Sequence, residues 1–275
     1  MKKKYILIGI LFISLTVFSQ KLAKVKGSKN VILSERVFDS ISSLEIYKNL
    51  KINIIKSKEN KLVIFADDNL HDIVLTDLNN GKLDIDLSNR ISSKKKFEIT
   101  LYLTSIANIT LNDNVKLTNN DYLKNTAISV ILNDKSEANL MLEAENITIE
   151  ASNHAKAEMV LKADTIKTNL QETAKIKTTI SCNLFIVNAN QKSSLTPLGK
   201  VEKMLITAKN SAKVKATNLK VDTAELVAEN SVSVYINATK NLSIKAQGKS
   251  KTYIYGNAKI DLVSFKNTAS LLKKE

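Results

Sequence analysis

One short pattern, written seven times between Ile149 and Leu271, restricts what this chain can fold into more than any other feature. In Ile206 to Val214 an aliphatic residue is followed by an apolar one two places on, a polar turn, a small residue at offset six and an apolar residue at offset eight. The frame begins at Ile149, Thr168, Val187, Ile206, Leu226, Ile244 and Val263, in steps of 18 to 20 residues, and weaker copies begin at Ile109 and Val130. Offset two is apolar in every copy, from Leu111 to Phe265, and offset six is always Ala, Ser or Val. Offset eight is apolar with the one exception of Thr252. Apolar and polar residues alternate on both sides of the turn, the period-two mark of half-buried strands. The three-and-four spacing of a helix is absent. Self-similarity at about 19 residues marks a solenoid, whose units bury their apolar faces only by stacking on one another. Two short strands, a turn and a return loop make one coil, so the expected fold is all-β, a single right-handed parallel β-helix. About a dozen coils at about 4.8 Å would make it roughly 50 to 60 Å long.

The first residues read as a processing signal. Lys2, Lys3 and Lys4 precede an apolar run, Tyr5 to Phe18, that is short for a membrane span. Residues 1–19 are expected to be removed, leaving Gln20 first, and no Cys follows that would take a lipid anchor. Residues 20–39 read as a polar leader or N-terminal cap, and 40–275 as the β-helix. An exported protein of the periplasm, the outer membrane or the extracellular space is implied.

The turns use Asn and Asp in place of Gly, because both tolerate left-handed backbone. Asn153, Asn210, Asn230 and Asn267 share a column, where stacked amides can satisfy one another. The one cysteine, Cys182, lies among apolar alternating positions and reads as a buried, inert thiol. The net charge of +14 falls by three, to +11, when the three leading lysines are removed. Arg36 and Arg90 are the only arginines. Nucleic-acid readers favour arginine for its bidentate fork, so a lysine-dominated charge argues against a nucleic-acid partner.

Upstream of the repeat the chain is strand-rich. Asp67 to Val74 predicts a short helical turn with an acidic N-cap, Asn79-Asn80-Gly81 a hairpin turn, and Lys94 to Lys96 a loop. The runs Leu50-Lys-Ile-Asn-Ile-Ile, Lys61-Leu-Val-Ile-Phe-Ala-Asp-Asp-Asn-Leu and Asn80-Gly-Lys-Leu-Asp-Ile resemble the head GIN domain family of auto-transporter adhesins. The resemblance extends over residues 35 to 271. Members are exported β-helical proteins common in Bacteroidetes, and the signal ending Val17-Phe18-Ser19-Gln20 looks like signals of that phylum. One departure is Lys48-Asn49, where members often carry Gly. The resemblance implies a fold and a cell-envelope setting, and it supplies no catalytic residues.

Few residues are arranged for chemistry. His71 and His154 are the only histidines, and neither has metal-type spacing to Cys or acids, so no metal or other cofactor is expected. Asp67-Asp68 and Asp84/Asp86 are paired carboxylates of the kind glycosidases use. The first pair fits a turn start, and the second the outer face of a strand. Polysaccharide-cleaving β-helices build clefts from long loops between coils, whereas the coil length here hardly varies. Asp39-Ser40-Ile41, Asp164-Thr165-Ile166 and Asp222-Thr223-Ala224 resemble an O-glycosylation acceptor of Bacteroidetes exported proteins.

One surface feature stands out. Offset seven points outward and carries Lys116, Lys156, Lys175, Lys213 and Lys251. Offset nine, on the same face, carries Lys177, Lys215, Tyr235 and Tyr253. Stacked coils would join these into a basic strip with two tyrosines, able to hold an anionic glycan, lipopolysaccharide or another envelope protein. The competing reading is a lysine-rich edge that keeps a flat sheet soluble. The expected function is therefore a non-catalytic, adhesin-like envelope protein binding along one solenoid face. A carbohydrate-active β-helix enzyme and a structural spacer are the alternatives. Ser34 to Ile46 is expected to cap one end, and the short Ser270 to Glu275 leaves the other open to end-to-end pairing of two copies.

Overall fold

The computed structural model describes residues 22–274, so the signal read over 1–19 and the start at Gln20 lie outside the described residues. The chain opens with β1 (Lys24–Lys26), β2 (Val31–Phe38), β3 (Ser43–Ile46), β4 (Lys51–Lys56) and β5 (Asn60–Asp67). Next come β6 (Val74–Asn79), β7 (Lys82–Leu87), β8 (Arg90–Ser93) and β9 (Phe97–Leu103). The regular part follows with β10 (Asn108–Leu111), β11 (Lys116–Asn119), β12 (Leu123–Lys124) and β13 (Ala127–Leu132). Long strands then recur as β14 (Glu137–Ala151), β15 (Lys156–Leu170), β16 (Lys175–Ala189), β17 (Ser194–Lys209), β18 (Lys213–Glu229) and β19 (Ser233–Gln247). The last coil comprises β20 (Lys251–Tyr255), β21 (Lys259–Phe265) and β22 (Ser270–Lys273).

The columns of the sequence are columns in space. β14 lies parallel to β15 with Glu137 beside Lys156 and Ala151 beside Leu170, and β15 repeats this register on β16. The predicted return loop is instead a bend inside one continuous strand. In β15 the inward residues are Ala157, Met159 and Leu161, then Ile166, Thr168 and Leu170. The alternation slips phase between Leu161 and Ile166, so the strand turns a corner there while its neighbour pairs continue on either side. The step of 20 residues is absorbed by irregular register between β17 and β18, where Leu195 pairs with Val214 but Gly199 with Leu219. A further irregularity places Leu262 opposite Ile244 and Phe265 opposite Ala246, so Val263 is displaced from the column that the repeat assigns it.

One tight turn remains per coil, and its second residue is left-handed throughout. Asp113, Asp134, Asn153, Glu172, Gln191, Asn210, Asn230 and Asn267 all have φ between 54° and 68°. Gly248 holds the same place with φ 73°. The amide ladder forms in part: Asn230 Nδ2 donates to Asn210 Oδ1 (2.6 Å) and Asn153 Nδ2 to Asp134 Oδ1 (3.2 Å). Behind the turn the small column packs against the core, with Ala155, Ala174 and Ala212 fully buried. Val115 and Val232 fill the same column in other coils, and a side chain larger than valine there is expected to overpack the turn.

The N-terminal end departs from the expected series. β3 and β4 form a coil, but the coil stacked on its outer side is built from β7 and β9, later in sequence. β10 and β11 resume on the inner side. The chain between these layers folds back antiparallel, with β6 on β7 and β2 on β5 on β9. Apart from β7, residues 57–96 therefore close the end instead of lengthening the stack, and the solenoid has about nine turns, not a dozen. Ser43–Ile46 lies inside the stack, so it is no cap. The described part of the expected leader, residues 22–39, contributes β1 and β2 to the cap. Asn80 and Gly81 turn the β6–β7 hairpin with φ 50° and 76°. Asp68–Leu70 is a single 3-10 turn, and the Asp67 side chain does not cap it. That carboxylate is fully buried and accepts from the backbone N–H groups of Lys29, Lys95 and Lys96. Arg36 reaches from β2 to the carbonyls of His71 and Val74 and to Thr76 Oγ1, tying the cap layers together.

Candidate functional site

The outward face beside the turn follows from the inward one. Because offsets six and eight pack into the core, offsets seven and nine must face solvent. The register then lines up Lys116, Glu137, Lys156, Lys175, Ser194, Lys213, Ser233 and Lys251 as successive neighbours. In the adjacent column Glu158 is beside Lys177, and Lys215 beside Tyr235 and then Tyr253. All eight predicted residues, Lys156, Lys175, Lys177, Lys213, Lys215, Lys251, Tyr235 and Tyr253, thus share one face.

Two glutamates on that face went unread in the sequence, although they stand at the same offsets. Glu137 lies 3.5 Å from Lys116, and Glu158 2.9 Å from Lys177. The strip therefore changes character along its length. Toward the N-terminus acids interrupt it and pair with Lys116 and Lys177, while among the described residues Lys156 and Lys175 form no ion pair. From Lys213 onward neither column holds an acid, and among the described residues Lys213, Lys215 and Lys251 form no ion pair. Tyr235 and Tyr253 stack there with centroids 4.4 Å apart and planes 8° from parallel. Lys213 Nζ stands 5.8 Å from the Tyr235 ring centre, and Lys274 Nζ 5.9 Å from that of Tyr253. Partial burial, then the neighbouring Tyr253, push the Tyr235 phenol above its ordinary value. Half-buried, stacked rings flanked by free ammonium groups form a rigid platform with apolar and cationic parts.

A second outward face, on the strand before the turn, is lined by amides. Asn169 Nδ2 donates to Glu150 Oε1 (3.2 Å), and Asn188 Nδ2 to Asn169 Oδ1 (2.9 Å), beside a groove of about 480 Å³. These amides largely satisfy one another, which fits a structural ladder better than a ligand site.

The remaining candidates are occupied by structural contacts. Asp84 lies 3.0 Å from Lys82, and Asp86 2.6 Å from Lys48. Asp68 accepts from Ser28 Oγ, from Asn30 Nδ2 and from the Asn69 backbone. His71 is buried between Ser34 Oγ (2.6 Å) and the Ala66 carbonyl (3.2 Å), while His154 is an exposed turn residue. Burial pushes the Cys182 thiol up to about 12. Among the described residues no group of three or more His, Cys, Asp or Glu side chains is placed to hold a metal ion. Of the glycosylation-type hydroxyls, Ser40 is exposed and Thr165 and Thr223 are half-buried at strand corners.

The fold recurs in solved structures. A "putative adhesin" of Parabacteroides merdae superposes with a TM-score of 0.67 at 16% identity, covering 92% of this chain and 100% of that one. A second "putative adhesin", of Parabacteroides distasonis, gives 0.61 at 17% identity, over 91% and 97% of the two chains. A "putative lipid binding protein" of the same organism gives 0.51 at 14% identity, over 91% and 96%. At such identities the likeness concerns the fold alone. No curated protein matches the chain. The family described as "Putative auto-transporter adhesin, head GIN domain" matches residues 40–160 and again 145–258, two overlapping stretches that together span nearly the whole solenoid and the part of the cap that follows β2, and the chain belongs to that family.

Proposed function

We propose that this chain is an exported, non-catalytic, adhesin-like envelope protein that holds an acidic glycan on the C-terminal half of its lysine and tyrosine face. The observation that carries this reading is the Tyr235–Tyr253 stack set among Lys213, Lys215 and Lys251, none of them ion-paired among the described residues. Sugar rings present apolar C–H faces that can pack on the aromatic rings, whose hydroxyls remain free for hydrogen bonds. The ammonium groups would meet carboxylates or phosphates spaced along the polymer, an attraction that salt screens over about 10 Å at 0.1 M. Family membership supports the adhesin-like role. The pairing of Asp84 and Asp86 with lysines speaks against a glycosidase pair at that place.

The test is co-sedimentation of the exported chain with isolated cell-envelope fractions across a salt series, with the supernatant assayed for new sugar ends. Saturable binding that weakens with salt is expected, and Lys175, Lys213 and Lys251 changed together to Glu should abolish it. Tyr235→Ala should weaken binding by several-fold without changing its salt slope. Release of sugar ends would replace this reading with an enzymatic one. Absence of both binding and release would leave a structural spacer.

A further inference from the structure

The cap borders a second candidate site, separate from the lysine and tyrosine face. β1 and β8 pair as a two-stranded parallel ribbon outside the main sheet, with Lys24 beside Arg90 and Val25 beside Ile91. Between this ribbon and the Tyr47 to Leu50 turn lies a cleft of about 570 Å³. Its basic lining is Lys24, Lys48, Lys51, Arg90 and Lys94, and its apolar lining is Leu22, Leu87, Ile91 and Phe97. Asn49 and Asn89 complete it, and no acid contributes. Lys48 is neutralised by Asp86 and also donates to the Leu87 carbonyl. Among the described residues the other four cations have no such partner in the cleft.

The use of arginine at this place is informative. The chain has 41 lysines and arginines, and only two are arginines. Arg36 is fixed by three acceptors within the cap. Arg90 is exposed and faces the cleft. A guanidinium offers a planar fork that matches a carboxylate or phosphate in two parallel hydrogen bonds, which lysine cannot do. Lys94 lies with Nζ 4.9 Å from the Phe97 ring centre, so the charged and apolar walls meet at one point. Partial burial, and then the charge of Lys51, draw the Lys94 ammonium below its ordinary value, and an anion bound beside it would offset both.

We propose that this cleft is a binding site for an amphiphilic anion, its carboxylate or phosphate head held by Arg90, Lys24 and Lys94 and its acyl chain laid on Leu22, Ile91 and Phe97. The volume of about 570 Å³ lies within the ordinary range of small-molecule sites, about 300–1,000 Å³. Such a head and tail could come from a free fatty acid or from a bilayer phospholipid, and the two sources are separable by experiment. The inference is independent of the glycan reading, because only Lys51 links the cleft to the ladder of offset seven.

Calorimetric titration of the exported chain with decanoate, kept below its micellar concentration, tests it directly, beside decanol, inorganic phosphate and phosphatidylglycerol vesicles. Saturable one-to-one binding of decanoate is expected, with decanol and phosphate each at least tenfold weaker. Arg90→Gln and Lys94→Gln should each weaken decanoate at least tenfold, and Arg90→Lys less than Arg90→Gln, with unchanged thermal unfolding as the folding control. The variant with Lys175, Lys213 and Lys251 changed to Glu should bind decanoate as the parent does. Vesicle binding that Arg90→Gln abolishes, with no affinity for free decanoate, would identify the bilayer as the source. Decanol or phosphate binding as tightly as decanoate would overturn the proposal. So would cleft variants that bind unchanged, or absence of binding to both decanoate and vesicles.

Discussion

The small column behind the turn contains a built-in stability deficit. Ser136, Ser193 and Ser250 occupy the positions that Ala155, Ala174 and Ala212 fill in other coils, and all six are fully buried. The three serine hydroxyls have no hydrogen-bond partner. A buried hydroxyl without a partner costs about 1–3 kcal/mol, so each Ser→Ala change should return about 1 kcal/mol at the lower bound. Alanine already serves in this column, so neither cavity nor clash is expected. Successive serines are three coils apart, about 14 Å at the strand spacing, beyond the range where substitutions couple. The triple variant should therefore gain about 3 kcal/mol. For a chain of this size that raises Tm by about 6–12 °C. Thermal melts followed by circular dichroism on parent, single and triple variants measure it. The reciprocal change Ala212→Ser should cost about what one serine returns. An unchanged or lower Tm in the triple variant would refute the reasoning, because it would mean that the hydroxyls are satisfied in solution, for instance by the carbonyl of the preceding turn. Thr252, whose buried hydroxyl is likewise unpaired, extends the series, and Thr252→Val should behave in the same direction.

Two further outcomes follow from buried ionisable groups. The Cys182 thiol, pushed by burial from 9.0 to about 12, should react with iodoacetamide at pH 8 about a thousandfold more slowly than in the urea-unfolded chain. Equal rates, read by intact mass, would show the coil around β16 to be open. For Asp67, burial alone would raise the carboxyl, but the N–H groups of Lys95, Lys96 and Lys29 outweigh it and leave it below 3.8. A carboxylate so lowered stabilises the fold above its unfolded value, and that contribution is lost as pH falls through the folded one. Amide protection at Lys29, Lys95 and Lys96 should therefore persist at pH 5 and collapse below pH 3.8, and Asp67→Asn should lose it at pH 7. Protection in Asp67→Asn equal to the parent would remove the carboxylate from its role as the tie of the cap.

The solenoid was legible because every coil repeats the same demands. A left-handed second turn residue, a small residue behind it and inward apolar pairs recur at fixed offsets, so each copy corroborates the others. The continuous corner was also written in the sequence, as the phase slip between Leu161 and Ile166, but it resembles a loop unless the two alternating halves are compared. Glu137 and Glu158 were equally visible at offsets seven and nine. They were missed because attention to one residue type selects a strip that the intervening acids interrupt. The cap was illegible for a different reason. Its strands pair out of sequence order, with β7 and β9 outside β3 and β4, and no local pattern encodes which layer is outermost. Arg36, His71 and Asp67 hold it, and their partners lie up to 40 residues away in sequence, so no local spacing identifies them.

That difference bears on where the molecule can bind. Coils stacked in constant register present flat faces, and a flat face offers a ligand many equal, weak and solvent-screened contacts suited to an extended polymer. Concavity requires a break in the repeat. Here the break is the antiparallel cap, whose ribbon of β1 and β8 stands off the main sheet and walls the cleft lined by Lys24, Arg90 and Lys94. Residues as distant in sequence as Lys24 and Lys94 meet there because the chain returns to the same end after building its first coil. The irregularity that conceals the cap from sequence reading is thus the same one that creates a concave site. If so, polymer binding should respond to substitutions anywhere along the lysine and tyrosine face in proportion to their number, whereas amphiphile binding should depend sharply on single residues of the cap. Graded loss in both, or sharp loss in both, would contradict this division between the two ends of the molecule.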